Sequence, residues 1–201
     1  MALSKTVKSE RFAALNAIVT QRGRTEFALA CLLGETMDNI KIYEVNPSYI
    51  NYLAAFAPHL FHNKKQGQQN TRKYIGVVLY INGFSYFAPL SSFKEKHKTM
   101  KEGIDFLKIK NYAVINVNNM FPVPNDECAY VEISKERNPK YKALLLAEYR
   151  TIKAIQEKIR KNAASLYRLK VVKNETTPLT KRCNDFLLLE EACRNYKKRS
   201  K

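Results

Sequence analysis

The feature that most constrains the fold of this sequence is an Asn-Gly pair between two runs of β-branched and aromatic residues. Tyr74–Ile81 precedes Asn82-Gly83, and Phe84–Ala88 follows it. Asn and Gly both tolerate the positive φ angles of the type I′ turn that joins two adjacent antiparallel strands. The sequence therefore predicts a β-hairpin over residues 74–88, and Pro89 is expected to end its second strand because proline has no N–H for the ladder.

Shorter strands are predicted on both sides of this hairpin. Ile40–Val45 alternates apolar and polar side chains, which is the period of a half-buried strand. A short helix is expected over Tyr49–Phe56. Three segments after the hairpin are further strand candidates: Tyr112–Val117, Met120–Val123 and Ala129–Ile133.

The last third of the chain has the residue spacing of helices. Apolar residues recur near a 3.6-residue period between Lys140 and Leu169, which predicts one helix that begins after Pro139. Thr176-Thr177-Pro178 interrupts the pattern, and a closing helix is expected over Asp185–Tyr196. Strands followed by helices indicate an α+β fold, in which helices pack on one antiparallel sheet.

Residues 1–36 differ from the rest, so we expect one domain over residues 37–201 and an N-terminal extension before it. Helical spacing in the extension, first around Phe12 and then over Thr25–Leu33, predicts a helical hairpin. The alternative is a leader that does not belong to the native protein, since Met37 would serve equally well as a start.

The net charge of the chain limits the kinds of molecule that it is expected to bind. The sequence contains 35 Lys and Arg against 18 Asp and Glu, a formal net charge of +17. Because so much like charge repels itself in a folded chain, an anionic partner is the simplest interpretation. Nucleic acid is the commonest such partner, since each neutralised phosphate releases counterions. A basic surface without a partner is the alternative.

The sequence argues against a membrane and against a metal centre. No apolar run approaches the roughly 20 residues that span a bilayer, and no signal peptide is recognised, so a cytoplasmic protein is expected. His59 and His62 have no second pair of ligands at matching spacing, so neither a metal nor another cofactor is predicted. Free thiols are expected at four dispersed cysteines: Cys31, Cys128, Cys183 and Cys193.

The segment that follows the hairpin has side chains suited to RNA cleavage without metal. Ser91, Ser92 and Lys94 place two hydroxyls and an ammonium within four residues. Such cleavage needs a deprotonated 2′-hydroxyl, a stabilised negative charge at phosphorus and a protonated 5′-oxygen, which basic and hydroxyl side chains can provide. From the pattern alone, serines that cap the local backbone and a solvated lysine are the simpler interpretation.

The same segment resembles the ToxN/AbiQ family, the endoribonuclease toxins of type III toxin–antitoxin systems. Its most specific part is Ala88-Pro89-Leu90-Ser91-Ser92-Phe93-Lys94, preceded by Lys73–Leu79. Further similarity at Tyr49–Leu53, at Ala113–Val123 and in the closing helix extends the resemblance over about residues 37–196.

The resemblance implies a fold, an activity and partners. Family members have a compact, strongly twisted antiparallel β-sheet surrounded by helices, similar to the Kid and MazF toxins. They cut cellular or phage mRNA without metal and leave a 2′,3′-cyclic phosphate. A small repeated RNA folded as pseudoknots inhibits them, toxin and RNA assemble into closed rings, and several systems act by abortive phage infection. A basic RNA-binding protein without catalysis is the alternative.

The resemblance also assigns roles to individual residues. Ser92 matches the essential serine of the family, Ser91 its hydroxyl neighbour and Lys94 the active-site lysine. Arg72 stands where the family often has lysine, and Phe93 where some members have proline. The residues expected to bind RNA are Tyr49, Arg72 and Lys73, together with Lys64 and Lys65 of a basic loop over Asn63–Thr71.

Overall fold

The computed structural model describes residues 39–57 and 72–196. The predicted helical hairpin within residues 1–36 lies outside the described residues, and so does the boundary between the extension and the domain. The basic loop with Lys64 and Lys65 lies outside them too, as do His59 and His62. These expectations stay predictions.

Among the described residues, seven strands form one sheet, and the strand pairs are antiparallel. The strands are β1 Lys41–Val45, β2 Tyr74–Ile81, β3 Phe84–Ser92, β4 Phe106–Ile109, β5 Ala113–Asn116, β6 Phe121–Pro122 and β7 Cys128–Tyr130. Their order is β4-β5-β3-β2-β1-β7, and β6 pairs with β3 outside this row. With the helices described below, the sheet confirms the predicted α+β class.

Six α-helices are described: α1 Pro47–Ala54, α2 Lys96–Thr99, α3 Pro139–Ala154, α4 Gln156–Tyr167, α5 Pro178–Lys181 and α6 Phe186–Asn195. Proline is the first residue of α1, α3 and α5, where its missing N–H leaves no intrahelical bond unmade. The single helix predicted between Lys140 and Leu169 is wrong. It is two helices, α3 and α4, because Ile155 leaves the helical conformation at φ −115° and ψ 15°.

The Asn-Gly hairpin is confirmed, since Asn82 and Gly83 have φ angles of 53° and 78°, in the left-handed region that a type I′ turn requires. The expectation that Pro89 ends the second strand is wrong, because β3 continues to Ser92. Proline removes only its own N–H from the ladder. The next N–H, of Leu90, donates to the carbonyl oxygen of Lys73 at 3.0 Å, so pairing with β2 resumes at once.

The other predicted strands and the closing helix are present but shorter than predicted, α1 has the predicted length but begins two residues earlier, and one strand was missed. β4 has four residues, Phe106–Ile109, and pairs with β5 through Leu107 and Ile115 at the edge of the sheet. Too few residues alternate in this strand to give a recognisable pattern. The predicted free thiols are confirmed for Cys128, Cys183 and Cys193.

The middle of the sheet is covered on both faces. Tyr74 and Ile75 are neighbours on β2, so their side chains point to opposite faces, yet each is no more than 1% exposed. On one face, Tyr74 and Phe87 belong to a core that includes Leu53 of α1 and Leu189 of α6. Among the described residues, no helix is both long enough and apolar enough to cross a membrane.

A buried carboxylate joins the closing helix to the sheet. Glu190 of α6 is fully buried, and its Oε1 accepts hydrogen bonds from the hydroxyls of Tyr86 and Tyr167, each at 2.8 Å. Burial and the nearby Glu190 carboxylate raise the pKa of Tyr86, so this hydroxyl keeps its proton and remains a donor. The interaction connects β3, α4 and α6 at one point.

Replacing Gly76 by alanine should lower the free energy of unfolding by about 1–3 kcal/mol, as overpacking of a core does. A Cβ at Gly76 would lie 2.9 Å from Cζ of Phe87 and closer still to other atoms of that ring, which is 2% exposed. Urea unfolding of the purified protein measures the loss.

Gly103→Ala is the matched control, since the nearest atom to its Cβ is Oδ1 of Asp105 at 2.9 Å, the end of a flexible side chain. We expect this variant to stay within about 0.5 kcal/mol of the parent chain. Equal stability of the two variants would contradict the close packing of Phe87 on Gly76.

Candidate functional site

The two serines of the predicted catalytic segment lie at the end of a central strand. Ser91 and Ser92 are the last two residues of β3, and they pair with Val114 and Ala113 of β5. Lys94 follows two residues later. Because backbone hydrogen bonds hold the two serines, the position of their hydroxyls is set by the sheet.

The two serines point to different faces of the strand, since successive side chains alternate. Ser91 is half-buried, and its Oγ accepts a hydrogen bond from Nη1 of Arg72 at 3.0 Å. Ser92 is exposed and points to the other face, and the exposed Lys94 follows where the strand has ended and the chain turns. The site therefore consists of an arginine–serine pair at the end of the strand, followed directly by the exposed side chains of Ser92 and Lys94.

Arg72 reaches Ser91 because the chain just before β2 already runs beside the end of β3. The hydrogen bond from the Leu90 N–H to the Lys73 carbonyl brings Arg72 level with Ser91, on the same face. Burial lowers the pKa of Arg72, and nearby Tyr74 acts in the opposite direction. An arginine remains charged despite such a shift, so a guanidinium lies beside a hydroxyl, a combination suited to binding a phosphate.

Lys73 lies on the opposite face from Arg72. Its ammonium forms an ion pair with Glu44 of β1 and lies 6.0 Å from the ring centroid of Tyr141 of α3. Only 13% of the Lys73 side chain is exposed. The predicted RNA-binding residues Arg72 and Lys73 are therefore neighbours in sequence that the structure places in different surroundings.

Tyr49 lies in the core and not on a surface open to RNA. The side chain is fully buried, and its hydroxyl donates a hydrogen bond to the carbonyl oxygen of Pro122 at 2.8 Å. Its ring meets the ring of Tyr196 edge-on, with centroids 4.8 Å apart. This position disagrees with the predicted contact between Tyr49 and RNA, because a side chain without exposed surface cannot reach a ligand.

Sequence reasoning missed His97, a buried residue three positions after Lys94. The residue is 6% exposed, and its Nδ1 accepts a hydrogen bond from the Lys94 N–H at 2.9 Å. The spacing of three residues between Lys94 and His97 is that of a single turn, and this was the only signal in the sequence.

The chain that follows β3 is basic. Residues 94–110 contain six lysines against three acidic residues, and all of these lysines are exposed or half-buried. Such a concentration of positive charge attracts a polyanion to the end of β3. In the parts that the structure describes, no three His, Cys, Asp or Glu side chains are grouped as metal ligands. The expectation of no cofactor stays a prediction.

Comparison with known protein families identifies the family of this chain. The model of the toxin ToxN of type III toxin–antitoxin systems matches residues 41–194. The chain belongs to this family. The match includes both strands of the hairpin and the segment from Ser91 to Lys94.

Similar sequences are known from several bacteria. Endoribonuclease ToxN of Bacillus thuringiensis subsp. kurstaki is 32% identical over 170 residues, which cover 81% of this chain and 87% of that protein. Endoribonuclease ToxN of Pectobacterium atrosepticum is 30% identical, with coverage of 79% and 95%. Endoribonuclease AbiQ of Lactococcus lactis subsp. lactis is 32% identical, with coverage of 80% and 91%.

Solved structures of this family have the same fold. A toxin selectively inhibited by a non-coding RNA pseudoknot matches with a TM-score of 0.70 at 29% identity, covering 81% of this chain and 100% of that chain. AbiQ, a lactococcal anti-phage endoribonuclease, matches with a TM-score of 0.67 at 28% identity, covering 80% and 99%. The residues that the structure describes therefore have the family fold.

We expect Tyr49→Phe to lower the free energy of unfolding by about 1 kcal/mol, because the bond to the Pro122 carbonyl is lost. Its affinity for RNA should equal that of the parent chain. Thermal unfolding and RNA titration measure the two quantities. If the variant is as stable as the parent chain but binds RNA several times more weakly, the result would support the predicted contact between Tyr49 and RNA.

Proposed function

We propose that this chain is a metal-independent endoribonuclease toxin that cuts RNA at the end of β3. The observation that carries the proposal is the 3.0 Å bond between Arg72 and Ser91, next to the exposed Ser92 and Lys94. It brings cationic and hydroxyl groups together at the segment with the most specific family resemblance. The relatives named endoribonucleases support the same activity.

The proposed reaction is an internal transfer at phosphorus. The 2′-oxygen attacks the neighbouring phosphorus and loses its proton, the bond from phosphorus to the 5′-oxygen breaks, and that oxygen takes up a proton. The products are a 2′,3′-cyclic phosphate and a 5′-hydroxyl. Ser92 and Lys94 supply the groups that act on the protons, while Arg72, held against Ser91, stabilises the negative charge that builds up on the phosphate oxygens.

RNA is the proposed substrate and also the proposed inhibitor. The formal net charge of +17 suits a polyanionic ligand. One solved relative is inhibited by an RNA pseudoknot, which supports a repeated pseudoknot RNA as the antitoxin of this chain. Cellular or phage mRNA is the proposed substrate, toxin and antitoxin are proposed to close into a ring, and AbiQ supports a role in abortive infection.

The finer details of fold and location belong to the same proposal. The proposed sheet is strongly twisted like that of the Kid and MazF toxins, in the sense in which neighbouring strands of an open sheet rotate relative to one another. A cytoplasmic location agrees with an RNA substrate. Lys64 and Lys65 are proposed to follow the phosphate backbone of the bound RNA.

A basic RNA-binding protein without catalysis is the second candidate. The net charge of the chain favours it as much as it favours an enzyme, because binding needs only phosphate contacts. The two candidates differ in whether bound RNA is cut.

Ser92→Ala and Lys94→Ala should each lower the rate of RNA cleavage at least about a hundredfold, the usual effect of losing a proton-transfer group. Expression of either variant without antitoxin RNA should no longer arrest growth. Ser134→Ala and Lys153→Ala remove exposed residues of the same kinds elsewhere and should keep full toxicity. Full toxicity of both site variants would refute the assignment of the site.

Purified protein should cut single-stranded RNA in the presence of excess EDTA and leave a cyclic phosphate at the new 3′ end. Gel electrophoresis of the RNA measures cleavage, and a terminal phosphate that phosphatase removes only after acid has opened the ring identifies the cyclic end. RNA that is retarded but uncut would support the binding protein. Cleavage that appears only after magnesium is restored would exclude a metal-independent reaction.

A further inference from the structure

His97 is the residue that holds the backbone of Lys94 in place. The backbone N–H of His97 donates to the carbonyl oxygen of Lys94 at 2.8 Å. The ring nitrogen Nδ1 of His97 accepts a hydrogen bond from the backbone N–H of Lys94 at 2.9 Å. One histidine therefore bonds both backbone groups of the lysine proposed to act on RNA. Because an acceptor nitrogen carries no proton, the ring is neutral, with its proton on Nε2.

The imidazole is itself held by neighbouring rings. Its centroid lies 5.5 Å from that of Phe93, which meets it edge-on, and 5.8 Å from that of Phe106 on β4. The Phe93 N–H in turn donates to the carbonyl oxygen of Tyr112 at 3.1 Å, which continues the β3–β5 ladder for one residue. The backbone is thus fixed from Ser92 to His97 although β3 has ended.

We propose that His97 is a positioning residue for RNA cleavage, which orients Lys94 towards the reacting phosphate through the bond from the Lys94 N–H to Nδ1. This inference rests on the proposed function, because it takes Lys94 as a group that acts on RNA. His97 itself is buried and does not touch the substrate. Its contribution is geometric, and small displacements of a reacting group cost large factors in rate.

The charges around His97 keep it in the neutral form that accepts the bond. Lys94 and Lys96 lie next to it in the turn and in α2, and Lys108 faces it from β4, so three cations act on the ring. The exposed carboxylate of Glu95 in the same turn is paired with Lys98. Burial and then these three lysines lower the pKa of His97 below its ordinary value of 6.5. Protonation below that pKa would place a proton on Nδ1 and remove the acceptor for the Lys94 N–H.

The first test compares three substitutions of His97 under single-turnover conditions with saturating RNA. His97→Asn keeps an acceptor near the position of Nδ1, whereas His97→Gln carries its amide one methylene farther and His97→Leu has no acceptor. All three lose the aromatic packing, so a purely structural role predicts equal effects. We expect the cleavage rate to fall about tenfold or more in His97→Leu and His97→Gln, and to stay within about threefold of the parent in His97→Asn.

The apparent affinity for RNA should change little in all three variants, since no phosphate contact is removed. Thr99→Val in the same short helix removes a hydroxyl that bonds the Lys96 carbonyl, at 3.3 Å, and is the control that should cut at the parental rate. Equal loss of rate in His97→Asn and His97→Leu would overturn the proposal.

The second test uses the pH dependence of the cleavage rate and does not depend on whether His97→Leu folds. In the parent chain the rate should fall as the pH decreases through the lowered pKa of His97, because the neutral acceptor is lost. In His97→Asn, whose amide does not titrate, this fall should be absent. An unchanged acidic fall in His97→Asn would assign it to another group and overturn the proposal.

The two proposals fail in different ways. If Ser92→Ala and Lys94→Ala cut RNA at the parental rate, the proposed active site is wrong and the role of His97 falls with it. If those two variants are inactive but His97→Leu folds and cuts at the parental rate, only the role of His97 is wrong.

Discussion

The pairing of β3 with its neighbours is the constraint on which the rest of this structure depends. β3 is bonded to β2 along the hairpin, to β5 near its end and to β6 along its other part, so it is the central strand. Its last two residues, Ser91 and Ser92, are held by the same backbone ladder as its buried middle. The candidate site is therefore an extension of the most strongly connected strand of the fold.

This position gives the site a rigidity that a loop would not provide. Backbone hydrogen bonds continue past Ser92 to Phe93, and His97 then holds Lys94 by both its backbone groups. At the other end of β3, the buried Glu190 joins the strand to the closing helices through Tyr86. A site proposed to act on phosphate by orientation and charge needs such preorganisation. Groups that are already in position lower the barrier more than groups that must rearrange during the reaction.

Just before β2, two cations that are adjacent in sequence have different partners. Arg72 lies beside Ser91 at the site, while Lys73 points to the other face and is neutralised by Glu44. Arg72 is thus placed at the proposed site, and Lys73 joins β1, β2 and α3. Both residues contribute one positive charge to the formal charge of the chain. Only the direction of each side chain distinguishes their roles.

By itself, the sequence determined what depends on neighbouring residues: the Asn82-Gly83 turn, the helix that begins at Pro139 and the segment Ser91–Lys94, whose family resemblance indicated RNA cleavage. Tertiary structure decided what depends on distant partners. It carried β3 past Pro89, placed Tyr49 in the core and paired Arg72 with Ser91 across two strands. Local sequence patterns do not predict these features, because burial and long-range hydrogen bonds form only when the sheet and the helices pack together.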